Sequence, residues 1–248
     1  MDIEIRYIEK DEILESHIAE ERANGRHGDK AALPLITEAL IDGRGVAAFD
    51  DGIIVGFGIA YPLKMNVGIE RFPTTLLDKV AVLPTHRRRG ILNGMMEFHM
   101  RDFYERGETL SGLGASESII YGRYGYGIGS MQVDFSIDRR HTAFITDVPT
   151  KGKHRFIDSG DALDTLPEVA ERANAKRSGF IKGTKSLWRL YLSDLESQRG
   201  DASELFHVVY EEDGQVDGYV SYRTRKDILM IHEMISATST ASYISANA

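Results

Sequence analysis

The stretch Val80-Ala-Val-Leu-Pro-Thr-His-Arg-Arg-Arg-Gly-Ile-Leu92 decides how the rest of the chain is read. Alternating Val80 and Val82 give a buried strand, Pro84 marks the loop after it, and Gly90 stands where a helix begins. Arg87, Arg88 and Arg89 fall at that helix start. A helix N-terminus presents backbone N–H groups that the helix leaves unpaired, together with a partial positive charge, so it holds phosphate readily. The guanidinium groups add charge there, and Gly90 permits close backbone approach. On spacing alone, a solvated basic helix start after an ordinary strand reads equally well.

Downstream, Ile91, Leu92, Met95, Met96, His99, Phe103 and Tyr104 recur at helical spacing, and Gly107 ends the helix. That stripe is core packing. Thr109–Ala115 reads as a short strand. Ser116–Gly127 reads as a short helix breaking into a glycine-punctuated turn, and Met131, Val133, Phe135 and Ile137 alternate as one further strand would. Upstream, Ile3 and Ile5 mark a half-buried strand, and Asp11 opens a helix through Ile13, Leu14, His17 and Ile18 that stops near Asn24-Gly25. Gly25–Asp29 reads as loop and Leu33–Ile41 as helix. Strands are expected over Val46–Phe49 and Ile53–Tyr61, joined at Asp50-Asp51-Gly52, an aspartate–glycine hairpin turn. Met65–Thr75, with Pro73 and mixed polarity, reads as loop before a strand over Leu76–Leu83.

Around residues 147–153 the apolar signal lapses and turn formers accumulate, which divides the chain into expected domains at 1–147 and 148–248. The second half offers a short strand at 155–157 and helices at 163–175 and 185–195. Two more strands are expected at 204–210 and 218–222, around Asp213-Gly214. Its end, Ala237–Ala248, is small and weakly apolar. So few elements make a thin independent core, and this second domain is expected to be incomplete.

Composition narrows the chemistry. The absence of cysteine excludes disulfides, iron–sulfur clusters, zinc ribbons and cysteine nucleophiles. A net charge of −8, from 38 acidic against 30 basic residues, argues against a general nucleic-acid binder. No run approaches a membrane span, and the start Met1-Asp-Ile-Glu-Ile-Arg is unlike a signal peptide, so a cytoplasmic protein without membrane attachment is expected. The eight histidines show no metal spacing, and no metal is expected. Glu12, Glu15, Glu20 and Glu21 make the first helix acidic. They form either a solvated face or a field that draws cationic substrates such as amines.

The element order over roughly residues 1–140 resembles the GCN5-related N-acetyltransferase (GNAT) fold, an α/β architecture on a mixed sheet, here followed by a partial second GNAT-like domain. The family signature is a valine-bearing strand and then Arg/Gln-x-x-Gly-x-Gly/Ala opening a helix. Arg87–Leu92 fits it except at Leu92, where a small residue is usual. Pro84–Leu92, followed by Ala115-Ser-Glu117 and Ile120-Tyr-Gly-Arg-Tyr-Gly-Tyr-Gly127, is similar to the Eis (enhanced intracellular survival) family of multi-acetylating enzymes. These act on amines, aminoglycosides included.

That resemblance implies acetyl-CoA as co-substrate and a primary amine of a cationic small molecule, aminoglycoside- or polyamine-like, as acceptor. It implies coenzyme contacts from Val80 and Val82, and a pyrophosphate cradle from Arg87, Arg88, Arg89, Gly90 and Ile91. Ser116 and Glu117 match positions near the coenzyme, and Tyr121 matches the tyrosine that protonates the departing thiolate. Homo-oligomers, trimers or hexamers, are implied too. Family members continue through a complete second domain and a sterol-carrier-like domain to a C-terminal carboxylate that serves as base. Ala248 does not match that carboxylate, so the chain is expected to be truncated. The alternatives are an inactive acyl-CoA-binding or regulatory remnant and a protein-lysine acetyltransferase.

Overall fold

The computed structural model describes residues 2–27, 30–143 and 151–238. The expected boundary at 147/148, part of the Gly25–Asp29 loop and most of the C-terminal tail lie outside those residues. Contacts divide the chain into two compact units, residues 1–127 with 177–195 and residues 128–176 with 196–248.

In the first unit the strands β1 (Ile3–Tyr7), β2 (Arg44–Asp50), β3 (Ile53–Val67), β4 (Glu70–Val82) and β5 (Leu110–Leu113) follow one another across a single sheet. All neighbours run antiparallel except β4 and β5, which are parallel. The β2–β3 turn has Asp51 at φ 50 and Gly52 at φ 78. Both central residues are thus left-handed, which suits the right-handed twist of the strands it joins. A two-residue strand, β7 (Ile181–Lys182), pairs with β3.

Helices cover both faces of this sheet. On one side, α1 (Ile13–Ala23) and α2 (Leu33–Ile41) bury Ile13, Ala19, Ile36 and Leu40 against Ala47, Phe49, Phe57, Ile59, Tyr61 and Leu63. On the other, α3 (Ile91–Glu105) buries Ile91, Met95, Met96 and Phe103 against Ala48, Val55, Ala60 and Leu77. Fully burying an isoleucine, leucine, methionine or phenylalanine stabilises by about 1.5–3 kcal/mol each. A polar staple fixes the far end of α3. Asp102 accepts from Tyr7 Oη at 2.5 Å, Arg44 Nε at 2.7 Å and Arg106 Nε at 2.5 Å, and Arg44 also pairs with Glu108 at 2.6 Å.

Two expectations fail here. Met65–Thr75 is not loop but the tip of a long β3–β4 hairpin, with Lys64 paired to Pro73. Proline fits because β5 begins its pairing only at Thr74, so at position 73 that side of β4 is an edge and no ladder donor is needed. Nor is Met131–Ile137 a strand. It has no ladder partner among the described residues, and Met131 and Phe135 are 88% and 86% exposed. Alternation encodes a half-buried strand only where a neighbour supplies the backbone partners and a face to bury.

The second unit is an antiparallel sheet in the order β10 (Ile228–Ser236), β9 (Gln215–Arg225), β8 (Phe206–Glu212), β6 (Lys153–Ile157). The helix α5 (Ser159–Asn174) packs on it through Ala162, Leu166, Val169 and Ala170, and Asp158 caps its start by accepting the Asp161 N–H at 2.9 Å. Among the described residues no helix is long and apolar enough to cross a membrane.

Candidate active site

The sheet of the first unit opens along β4. Its pairing with β5 covers only Thr74–Leu77 against Leu110–Leu113, while β4 continues to Val82. Past Leu77, β4 keeps β3 on one side and leaves the other edge unpaired by β5. The parting coincides with a bulge: the β3–β4 register shifts between Phe57 and Ile59, and Lys79 lies in the left-handed region at φ 55. Asp78 Oδ1 accepts the Lys79 N–H at 2.8 Å and steadies the turn of the chain. Two parallel strands that diverge at their C-terminal ends leave a crevice, the usual place for a ligand in an open α/β sheet.

Side chains along this edge go to opposite faces. Leu76 packs among the α1 and α2 residues, whereas Val80 and Val82 pack among those of α3. Lys79 reaches back to α1, with Nζ at 3.3 Å from Glu20 Oε2. After Leu83 comes one turn of tight helix at Pro84–His86, then the arginines, then α3. Arg88 at φ 62 and Gly90 at φ 81 are both left-handed. The first backbone bond into α3 runs from Gly94 N–H to Gly90 C=O, so the N–H groups ahead of it project from the helix end.

The arginines divide their work. Arg87 donates to the Ala23 carbonyl at 3.1 Å, the last residue of α1, and to the Val82 carbonyl at 3.3 Å. Arg89 pairs with Asp50 Oδ2 at 3.3 Å, and the His86 Nε2 lies 3.2 Å from that same oxygen. Arg88 is exposed and forms no ion pair or side-chain hydrogen bond among the described residues. Two guanidinium groups therefore tie the loop to α1 and β2, and one is left for solvent or a ligand.

Ser116 and Glu117 are exposed on the segment leaving β5 and lead into α4 (Ser118–Tyr121). Tyr121 packs against the same core cluster as Val80, Leu92 and Leu113, with its ring 6.0 Å from Tyr126 at 77°. Three tyrosines crowd this corner, and their hydroxyls differ. Tyr126 Oη lies 2.7 Å from Ser111 Oγ, and Tyr124 Oη is sealed inside with no hydrogen-bond partner among the described residues. The Tyr121 hydroxyl is neither bonded within the described residues nor among their sealed-off polar atoms. Burial raises its pKa, with a smaller push from Tyr124, so the phenol keeps its proton at neutral pH.

The acidic helix is more neutralised than its sequence suggests. Glu12 is locked to Arg6 at 2.6 Å. Arg26 pairs with Glu21 at 2.9 Å and with Glu20 at 3.1 Å, and Glu20 also takes Asn24 Nδ2 at 2.8 Å besides Lys79. His17, 4% exposed, has Nδ1 at 3.9 Å from Glu20 Oε2, and neither ring nitrogen has a hydrogen-bond partner among the described residues. Burial first, then Lys79, lowers its pKa and keeps the ring neutral. His17, Glu20 and Glu21 are the one group among the described residues with ligand atoms within 4.8 Å of one another. A metal ion there would have to displace both cations. Lys79 carries no local sequence signal, because its partner lies 59 positions away.

Residues 4–129 match the family described as Acetyltransferase (GNAT) domain, and residues 179–243 match a second family of the same description. An uncharacterized N-acetyltransferase of Streptomyces avermitilis is 35% identical over 186 residues, spanning 74% of this chain and 46% of that protein. N-acetyltransferase Eis of Mycobacterium tuberculosis is 31% identical over 196 residues, spanning 76% and 48%. Among solved structures, Eis1 of Mycobacterium abscessus aligns with a TM-score of 0.80 at 26% identity, covering 98% of this chain and 62% of that one. A probable N-acyltransferase of Enterococcus faecalis V583, at 19% identity and a TM-score of 0.84 over 99% of this chain and 61% of that one, shares the fold. The chain spans about half the length of these curated relatives. The resemblance carried by Pro84–Leu92 and Ile120–Gly127 is borne out: this chain belongs to the GCN5-related N-acetyltransferase family and is Eis-like.

Proposed function

We propose that this chain carries the acetyl-CoA site of an N-acetyltransferase acting on a primary amine of a cationic small molecule, with Tyr121 as general acid. The observation that supports it most is the parting of β4 from β5 at Leu77, beside a helix start preceded by the exposed Arg88, which has no partner among the described residues. A thioester arm fits an unpaired strand edge, since the edge offers backbone donors and acceptors. The residues present suit the coenzyme. The backbone from Arg88 to Ile91 and the Arg88 guanidinium face outward for phosphate, and Val80 and Val82 border the arm. Arg87 and Arg89 hold that loop in place. Ser116 and Glu117 stand where β5 leaves the sheet, on the other side of the crevice.

Acetyl-CoA supplies the activated acyl group. Tyr121 Oη holds the proton that the departing sulfur requires, in a setting that keeps the phenol protonated. Replacing Tyr121 with Phe removes that proton and little packing. Turnover should fall at least a hundredfold, the usual scale of general-acid catalysis. Coenzyme binding should persist.

The direct test is thiol release from acetyl-CoA with kanamycin and with spermidine as acceptors. Release with either supports the enzyme. Measurable coenzyme A binding without release from either acceptor would favour the acyl-CoA-binding remnant. Release only with lysine-bearing protein would favour the protein acetyltransferase.

A further inference from the structure

Resting on that reading, we propose that Glu20 and His17 form the subsite for the acceptor's primary ammonium, and that Lys79 occupies this subsite until an acceptor displaces it. The Glu20 side chain is 4% exposed, and a buried carboxylate needs a cation beside it. Its Oε1 is committed to Arg26 and Asn24, both held locally at the end of α1. Among the described residues its Oε2 accepts a hydrogen bond from the Lys79 ammonium alone, at 3.3 Å, on a long flexible stem from a left-handed bulge residue. Of the cations on Glu20, Lys79 makes the replaceable contact.

His17 points to what replaces it. A ring so fully buried, with neither nitrogen hydrogen-bonded among the described residues, lies 3.9 Å from the oxygen that Lys79 now takes. Buried polar groups are normally hydrogen-bonded, and an unmet one calls for an explanation. Lys79 satisfies Glu20 alone. A primary ammonium seated there would donate to Glu20 Oε2 and to the unprotonated nitrogen of His17, two bonds where the resting cation makes one. The place also fits the chemistry. Lys79 directly precedes Val80 on the free edge of β4, and its side chain goes to the α1 face, opposite Val80 and Val82. The acceptor would approach from α1 while the coenzyme lies along β4.

Calorimetric titration of spermidine into the coenzyme A-loaded protein separates this idea from the wider reading. Lys79→Met keeps most of the stem and removes the competing charge. It should tighten spermidine binding about tenfold, the scale of one charge-assisted hydrogen bond. Lys176→Met, an exposed change of equal charge, should leave binding as in the wild type. Glu20→Gln, checked for unchanged far-ultraviolet circular dichroism, should weaken binding about tenfold or more. Unchanged or weaker binding by Lys79→Met overturns the proposal, as does equal tightening by Lys176→Met. Tight binding by Lys79→Met without acetyl transfer would leave the subsite standing and refute the catalytic reading.

Discussion

Arg87, Arg88 and Arg89 are chemically identical, yet alanine at each should act on a different quantity. Arg88 is exposed and unpartnered among the described residues, so Arg88→Ala breaks no bond seen there. The melting temperature should stay where it is. A guanidinium–phosphate hydrogen bond contributes about 1.5–3 kcal/mol, and screening at an exposed site favours the lower end, which corresponds to about a tenfold weaker coenzyme A affinity. That difference should shrink as salt rises. Arg87→Ala removes bonds to the Ala23 and Val82 carbonyls, worth about 1 kcal/mol each, so its first effect is on stability. Arg89→Ala leaves Asp50 with His86, and a partly exposed pair of this kind is worth about 1 kcal/mol or less. Calorimetry with coenzyme A, beside thermal melts of the three variants, reads both quantities. If Arg88→Ala bound like the wild type while Arg87→Ala lost binding at an unchanged melting temperature, the division of labour would be refuted.

Two further outcomes follow from the ion pairs. Burial alone would raise the Asp102 pKa, but hydrogen bonds from Tyr7, Arg106 and Arg44 outweigh it and hold the carboxyl low. Asp102→Asn leaves Arg106 without its anion and Arg44 with Glu108 alone, and should cost about 3 kcal/mol in urea unfolding, with the cost concentrated at the end of α3 away from the arginine loop. The hydrogen bond from Arg6 is the main cause holding Glu12 at about 2, below an unfolded value of about 4.3. A depressed carboxyl contributes stability above its unfolded pKa and loses it as pH falls through the folded one. Unfolding midpoints should therefore drop between about pH 4.5 and 2, and less steeply in Glu12→Gln than in the wild type; equal slopes would remove Glu12 from the cause.

Much of the frame was legible because local signals and tertiary demands agreed. Asp51-Gly52 specified its turn, and Gly90 and the stripe from Ile91 to Phe103 specified where α3 starts and which face it buries. The parting of β4 from β5 was not legible, because it depends on where β5 stops pairing, and Leu110–Leu113 carries no mark of that. Pro73 suggested a loop for a reason that holds only inside a sheet, not at an edge. Met131–Ile137 shows the converse, a strand pattern whose partner is absent from the described residues. At the site, charge could be counted from sequence but not assigned. Nothing local reveals that Arg87 is spent on Ala23, that Arg89 is spent on Asp50, or that Lys79 crosses to Glu20.

The central claim is that acetyl-CoA lies along the free edge of β4 and against the start of α3. Amide hydrogen exchange with and without acetyl-CoA tests it at residue level. The expected result is slowed exchange centred on Lys79–Val82 and Arg88–Leu92, with the second unit's β8 and β9 unchanged. Protection absent from both stretches, or confined to the second unit, would contradict it.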